Sequence, residues 1–507
     1  MVSIELDSTL SGPEIGKGAV LRLARGVADQ VFLFFLCLAF TVVPLVVHSI
    51  SPILAFASQF VLATGLVFFF SPAAPFVVIF SQIFQNMFVS MLSGYLSSSD
   101  DYNIIRGYNF FTAMVFWLWM FGHYGVNWRS YSRSVNRVML ACLVGFCLIG
   151  VYFLLGFAKN PIGASIYLRN IITPLVIFQI FLLATLKREL SVVPFFTWVT
   201  VLIIGLGYIE VFDRQLWIDL TNGWTLWDLT TREAVLNLVP DKVALQTGRF
   251  VVGMLDSMRV AFFNTPLLGE GLTVLRVNGP NGHPISYSYI LAFLTVLMLT
   301  NKRWYLALLL APLLLMASAK GALIMLFLAY CALLGRWLFG PIFAVWALVA
   351  VLLIYIFLGI ITGLRIGDFH VLGFMGGLYN FIDYPLGNGI GDGGNLITDF
   401  DKLDWQAYQR AGRTPVAMES AVAALLHQMG FATFGLLAVY VWIAWQTYKV
   451  SFVSNINLHS ITFYITLVAL VNGIFQEEAL FSPLALGVIL GLNGFILGRS
   501  LSSRKQV

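Results

Sequence analysis

Charge is what this chain has least of. Lys, Arg, Asp and Glu make up only 10% of its 507 residues, 59% are hydrophobic, and mean hydropathy is +0.87. A soluble domain carries about a quarter charged residues, so this scarcity excludes an ordinary water-soluble fold and predicts a polytopic membrane protein. Cysteine is almost missing as well. The four present, Cys37, Cys142, Cys147 and Cys331, lie inside apolar runs, form no disulfide or metal spacing, and read as buried thiols. There is no Walker loop, no Gly-x-Ser-x-Gly elbow and no nucleotide motif, so neither nucleotide chemistry nor a metal or other cofactor is expected. A net charge of +5 calls for no nucleic acid, because the basic residues cluster at the ends of apolar runs, where they set orientation. No cleavable signal peptide is expected: the first apolar run, from about Val27, is long enough to span, and no small-residue cleavage site follows a short hydrophobic core.

What is present in abundance is spanning-length apolar sequence. Such stretches fall at about 27–49, 52–71, 75–93, 107–124, 138–157, 166–186 and 192–211, then at 286–301, 303–317, 320–338 and 341–363. The last three are at 417–446, 459–475 and 482–498. Basic residues near Lys17, Arg22 and Arg25, in Arg129–Arg137, at Lys187-Arg188, in Asn301-Lys302-Arg303, at Arg336 and in Arg499–Lys505 all fall on one side, and Asp100 and Asp101 on the other. The positive-inside rule then predicts about fourteen transmembrane helices with both termini cytoplasmic. The expected organisation is an N-terminal bundle (1–212), a first outer loop (213–285), central helices (286–363), a second outer loop (364–415), and C-terminal helices with a cytoplasmic tail (416–507). The 75–93 run is the most polar, carrying Gln82, Gln85 and Asn86. Residues 317–322 are too few for a loop and read as a tight turn or a broken helix. Lys320 stands there at the outer boundary, either snorkelling or aimed at an anionic lipid headgroup.

The polar loop from Arg365 to Gly435 organises the rest. It carries Arg365, Asp368 and His370, then Asp383-Tyr-Pro-Leu-Gly-Asn-Gly-Ile-Gly391, Arg410 and Arg413, and Glu419-Ser420 ahead of His427-Gln428. Such a segment between lipid-compatible runs must face water or line a cavity. Asn264–Leu272 in the first loop echoes Asp383–Ile390 in the second, each running through proline into Gly-x-Gly. That turn permits positive φ and close backbone approach to a ligand, which makes Gly389 a binding position. Gly248–Phe263 reads as an amphipathic helix with Val251, Leu255, Met258 and Phe262 on one face and Arg249, Asp256 and Arg259 on the other. Trp217, Trp224 and Trp227 suit an interfacial belt.

Several charges invite a role. Arg169 is expected one turn inside the sixth span, where an intramembrane arginine marks a polar cavity unless it snorkels out. Arg276 and His283 lead directly into a span, and a histidine beside an arginine there could bind substrate, take a proton or cap the helix. Glu419 is expected to begin the twelfth span, with His427 about 12 Å along on the same face. There it could serve the site or favour the helix N-terminus. Glu477 and Glu478 are expected to be solvated.

The second loop, with Glu419-Ser420 leading into His427-Gln-Met-Gly430 and Phe434-Gly435, resembles the second large loop and following span of the O-antigen ligase/polymerase superfamily. So do Arg276, Gly279-Pro280 and His283-Pro284 before a span, and Ser318-Ala-Lys-Gly321 at a helix break. The likeness covers roughly residues 245–445. The ligase branch usually shows His-Asn where this chain has Glu419-Ser420, which favours the polymerase branch. The resemblance implies an all-α fold related to the GT-C class, in the bacterial inner membrane, with both large loops periplasmic. It implies undecaprenyl-diphosphate-linked oligosaccharides as donor and acceptor, no nucleotide sugar and no metal, and a flippase and chain-length regulator as pathway partners. Fixed positive charge would hold the diphosphate: Arg276, Arg365 and Lys320 first, Arg169 and Arg249 behind them. The base would be His283, His370, His427 or Glu419, and Arg259, Asp383 and Gly389 complete the substrate-binding set. The rivals are a ligase delivering glycan to another acceptor and a lipid-linked glycan flippase. Transporters usually place their charges near mid-membrane, whereas here they gather in the two outer loops.

Overall fold

Backbone that enters hydrocarbon must satisfy its own hydrogen bonds, and the apolar runs do so as helices. The computed structural model describes residues 14–188, 190–230, 254–262, 273–395 and 404–503. Among the described residues, ten stretches are long and apolar enough to cross a membrane. One of them, Pro52–Met91, consists of the helices Pro52–Phe70 and Ala74–Met91 joined at Ser71–Ala73. Three shorter apolar helices, Pro284–Thr300, Trp304–Met316 and Asn457–Asn472, lie among them. Among the described residues, β structure is confined to one antiparallel pair, Arg259–Ala261 with Thr273–Leu275.

The centre is formed where the helix Pro161–Lys187 meets the last helix, Val488–Ser503. A Cβ added at Gly494 would lie 2.3 Å from Phe178 O, and one at Gly498 2.8 Å from Thr185 Cβ, so the glycine spacing is what lets the two backbones approach. Pro341–Ile366 lies at the periphery. It exposes Phe343, Trp346, Leu353 and Phe357, the surface expected of a helix that faces lipid.

Two sequence expectations are corrected. The amphipathic helix foreseen over 248–263 is helical in its described part only for Met254–Met258. The chain then straightens at Arg259, because Arg259–Ala261 pairs with Thr273–Leu275 in a hairpin ladder. Val251 and Arg249 lie outside the described residues, as does the whole of the 264–272 echo. The single span foreseen over 417–446 is two helices, Ala421–Met429 and Ala432–Ser454, of which only the second has spanning length. The break falls at Gly430, whose φ is +53 and where a Cβ would sit 2.1 Å from Pro385 O. The second loop therefore packs into the gap between the two helices.

Candidate functional site

The first loop is anchored by a carboxylate that the sequence reading passed over. Glu210, buried near the end of Val192–Phe212, accepts hydrogen bonds from the backbone N–H groups of Asn278 (2.9 Å) and Gly279 (2.8 Å) and pairs with Arg214 at 2.5 Å. Asn86 Nδ2 donates to Asn281 O at 2.6 Å. Gly279 has φ +64, and a Cβ there would strike the Tyr287 ring at 2.3 Å. So held, the loop delivers His283 as the N-cap of Pro284–Thr300, its Nδ1 accepting from Ser286 N at 3.5 Å. A backbone N–H can only donate, so Nδ1 keeps its lone pair and the proton sits on Nε2. Nε2 lies 3.8 Å from Glu478 Oε1. About half of the His283 side-chain surface (47%) remains open, but it opens into a cavity with protein on most sides. That burial lowers its pKa, helped by Arg276 and Arg106 and opposed by Glu478, so the imidazole is neutral at pH 7.

Glu477 and Glu478 are not the solvated pair expected. They sit in the short turn after Asn457–Asn472, and Glu477 is only 5% exposed. Its Oε1 accepts from the Tyr167 hydroxyl at 2.8 Å and its Oε2 from Asn395 N at 3.3 Å. Burial, with Glu478 and Glu419 nearby, pushes its pKa up to about 8 against the pull of the Tyr167 and Asn395 hydrogen bonds. Asn395 Oδ1 in turn accepts from Glu419 N at 2.7 Å, joining the second loop to the same turn. Glu419 precedes its helix, and Ser420 is the N-cap, so the helix-start role foreseen for it is corrected. Its φ of 59 is a left-handed conformation that disfavours a side chain. His370 Nδ1 lies 3.3 Å from Glu419 Oε2 and 3.2 Å from its carbonyl oxygen. Burial raises the Glu419 pKa, against the attraction of His370 and with Glu478 adding to the rise.

Three cavities meet around these groups. One, of about 230 Å³, is lined by Arg106, Arg169, Asn281, His283, Glu477 and Glu478, with Gln82, Asn86, Asn109 and Asn170 among its walls. The polarity of the 75–93 run is thereby accounted for. A second continues past His283 and Asn281 to Arg276, Trp217 and Trp227. The third holds Arg276, Lys320, Asp368 and His370 among apolar walls that include Ile285, Ile324, Tyr355 and Phe475. Arg276 lines both the second and third, and its Nε donates to Ala317 O at 3.1 Å. Burial lowers its pKa, with Glu478 opposing; an arginine stays charged regardless. The broken helix foreseen at 317–322 is seen: Trp304–Met316 ends, Ser318 takes φ 52, and Lys320 opens the next helix. Arg169 lies eight residues into Pro161–Lys187, two turns rather than one. The last helix enters beside the first cavity through a π-helical turn, Pro483–Gly487, an irregularity often found at functional sites.

Other expected site residues stand apart. Arg365 is exposed on the last turn of its helix and lines none of these three cavities, and Asp383 is exposed at the end of Phe369–Asp383. Arg259 lies in the hairpin. His427 is 5% exposed under the glycine loop, 3.8 Å from Asp392 Oδ2, and it holds the Asp392 pKa down. The positive φ of Gly389 serves protein packing: a Cβ there would lie 2.6 Å from Gly156 N, and its own N–H donates to Gln428 O at 2.9 Å. Among the described residues no group of three His, Cys, Asp or Glu is arranged to hold a metal.

Sequence reading missed Glu477, Glu478, Arg106 and Asn395. The signal available was the charged pair in a turn between two apolar runs too close together to leave room for a solvated loop. No family model, curated protein or solved structure matches the chain.

Proposed function

We propose that this chain is a bacterial inner-membrane polysaccharide polymerase, crossing the membrane about fourteen times with both termini cytoplasmic and loops 213–285 and 364–415 periplasmic. It would move a growing glycan from its undecaprenyl-diphosphate carrier to the terminal sugar of a new lipid-linked repeat unit. One observation carries the reading: two cations, Arg276 and Lys320, share an apolar-walled cavity, and Arg276 also borders the cavity where His283 faces Glu478 at 3.8 Å. Apolar walls with cations suit a lipid diphosphate, and the neighbouring acid–base cluster suits an incoming hydroxyl.

In this reaction the acceptor hydroxyl oxygen bonds to the donor anomeric carbon. The bond from that carbon to the diphosphate oxygen breaks, and its electron pair leaves with the diphosphate. Arg276 and Lys320 stabilise that leaving charge. Glu478, 3.8 Å from His283 Nε2, takes the hydroxyl proton. Glu419, with His370, holds the second loop against this cluster.

The test is the product formed by purified protein from lipid-diphosphate repeat units. A ladder of lengthening chains is expected. Transfer only to a foreign acceptor would make it a ligase, and unchanged glycan moved across vesicles would make it a flippase; either result overturns the proposal.

A further inference from the structure

Resting on the glycan reading, we propose that the cavity holding Arg106 and Arg169 is a subsite for an acidic sugar, whose carboxylate or phosphate substituent is bound between the two guanidinium groups. The first support is uncompensated charge. Among the described residues neither arginine has a carboxylate within ion-pair distance: Arg169 Nε reaches only Asn170 Oδ1 at 3.4 Å, and Arg106 lies 5.1 Å over the Tyr102 ring. Two like charges facing one half-enclosed space repel unless an anion lies between them. The acids that line the cavity do not supply it by direct pairing: the Glu477 oxygens are turned to Tyr167 and Asn395, and Glu478 Oε1 lies 3.8 Å from His283 Nε2.

The second support is the character of the walls. Asn281 is 4% exposed, lines the cavity, and leaves its Oδ1 without a hydrogen-bond partner among the described residues. A buried acceptor without a partner is unfavourable, and a sugar hydroxyl would satisfy it. Amides supply several walls and Phe110 and Phe481 add aromatic surface, a lining suited to a sugar ring. The Arg276–Lys320 cavity is instead mostly apolar, as a prenyl diphosphate requires. The two cationic cavities thus divide the substrate, with the carrier on one side of His283 and an acidic sugar on the other.

The test is equilibrium binding to the purified full chain in detergent. The probes are a glucuronate-containing disaccharide, its neutral glucose counterpart and farnesyl diphosphate. The acidic disaccharide should bind at least about tenfold more tightly than the neutral one, a comparison on wild-type protein that no folding defect can confuse. Arg169→Gln and Arg106→Gln should each weaken it by about tenfold or more, Arg169→Lys should retain part of the affinity, and Arg365→Gln should change nothing. Farnesyl diphosphate should respond to Arg276→Gln and be indifferent to Arg106→Gln. Equal affinity for the two disaccharides, or no binding of either, overturns the subsite. So does farnesyl diphosphate binding that is lost with Arg106 or Arg169, which would assign the cavity to the carrier. Failure of the polymerase reading is separate: it appears as a missing product ladder while acidic-sugar binding persists.

Discussion

The Tyr167 hydroxyl donates to Glu477 Oε1 at 2.8 Å, linking a central helix to a turn 310 residues further along the chain. The contact places a buried acid between Tyr167 and Asn395, and Asn395 bonds Glu419. The N-terminal bundle, the second loop and the C-terminal turn are thereby tied at one point.

Glu477 should make stability fall as pH rises. Its folded pKa is about 8 against an ordinary 4.5, so between those values the native state holds a proton that the unfolded state has lost. The contribution is fully present below about pH 4.5 and is lost as pH rises through about 8. Glu477→Gln should remove this component. Thermal unfolding of both proteins in detergent at pH 5 and pH 8.5 measures it, and an identical pH dependence for the two would show that Glu477 titrates normally.

Arg276 and Arg365 should separate sharply. Arg276 borders two cavities and donates to Ala317 O at 3.1 Å, whereas Arg365 is exposed and lines none of the three. Arg276→Lys should lose about tenfold or more in product formation with normal membrane insertion, because lysine lacks the planar fork. Arg365→Ala should stay within about twofold of wild type, since an exposed side chain away from the site contributes little. Comparable losses in both would move the diphosphate contact away from the Arg276 cavity.

Topology is checked with single cysteines at Asp219 and Gln406, two exposed positions in the two loops, in a chain whose own four cysteines are replaced. Both should react with a membrane-impermeant thiol reagent in intact spheroplasts. Labelling of either one only after lysis would rule out a periplasmic loop there.

Much of the helical framework was legible because lipid leaves the backbone few choices and hydropathy reports them directly. The Ser318 break and the polarity around Asn86 were readable for the same reason: polar residues in apolar runs need a reason to be there. The cluster at Glu477–Glu478 was not legible. It depends on a Tyr167 hydroxyl and an Asn395 amide brought from distant segments, and no local pattern encodes that. Gly389 misled in the opposite direction. Its positive φ could be inferred from Gly-x-Gly, but the neighbour it makes room for, Gly156, is set by tertiary packing. Glu419 was expected to open a helix, but Ser420 takes the cap and Glu419 precedes it.

Glu419 offers the last prediction. A side chain at φ 59 costs about 1–3 kcal/mol and persists only where the surroundings enforce it. Here the enforcement is visible: its N–H is held by Asn395 Oδ1 at 2.7 Å and its carbonyl oxygen faces His370 at 3.2 Å. If the fold tolerates the strain so that the carboxyl can stand between the two loops, stability and function should part at this residue. Glu419→Gly should be more stable than Glu419→Ala by about 1 kcal/mol, because only glycine adopts that φ freely. Both should lose product formation alike, while Glu419→Gln should keep the backbone contacts and show whether the charge is needed. Unfolding midpoints in detergent and the product ladder supply the two readouts. Equal stability of the Gly and Ala variants would mean that the left-handed backbone relaxes on substitution. An active Gly variant would mean that the strain serves packing of the loops, with the chemistry left to His283 and Glu478.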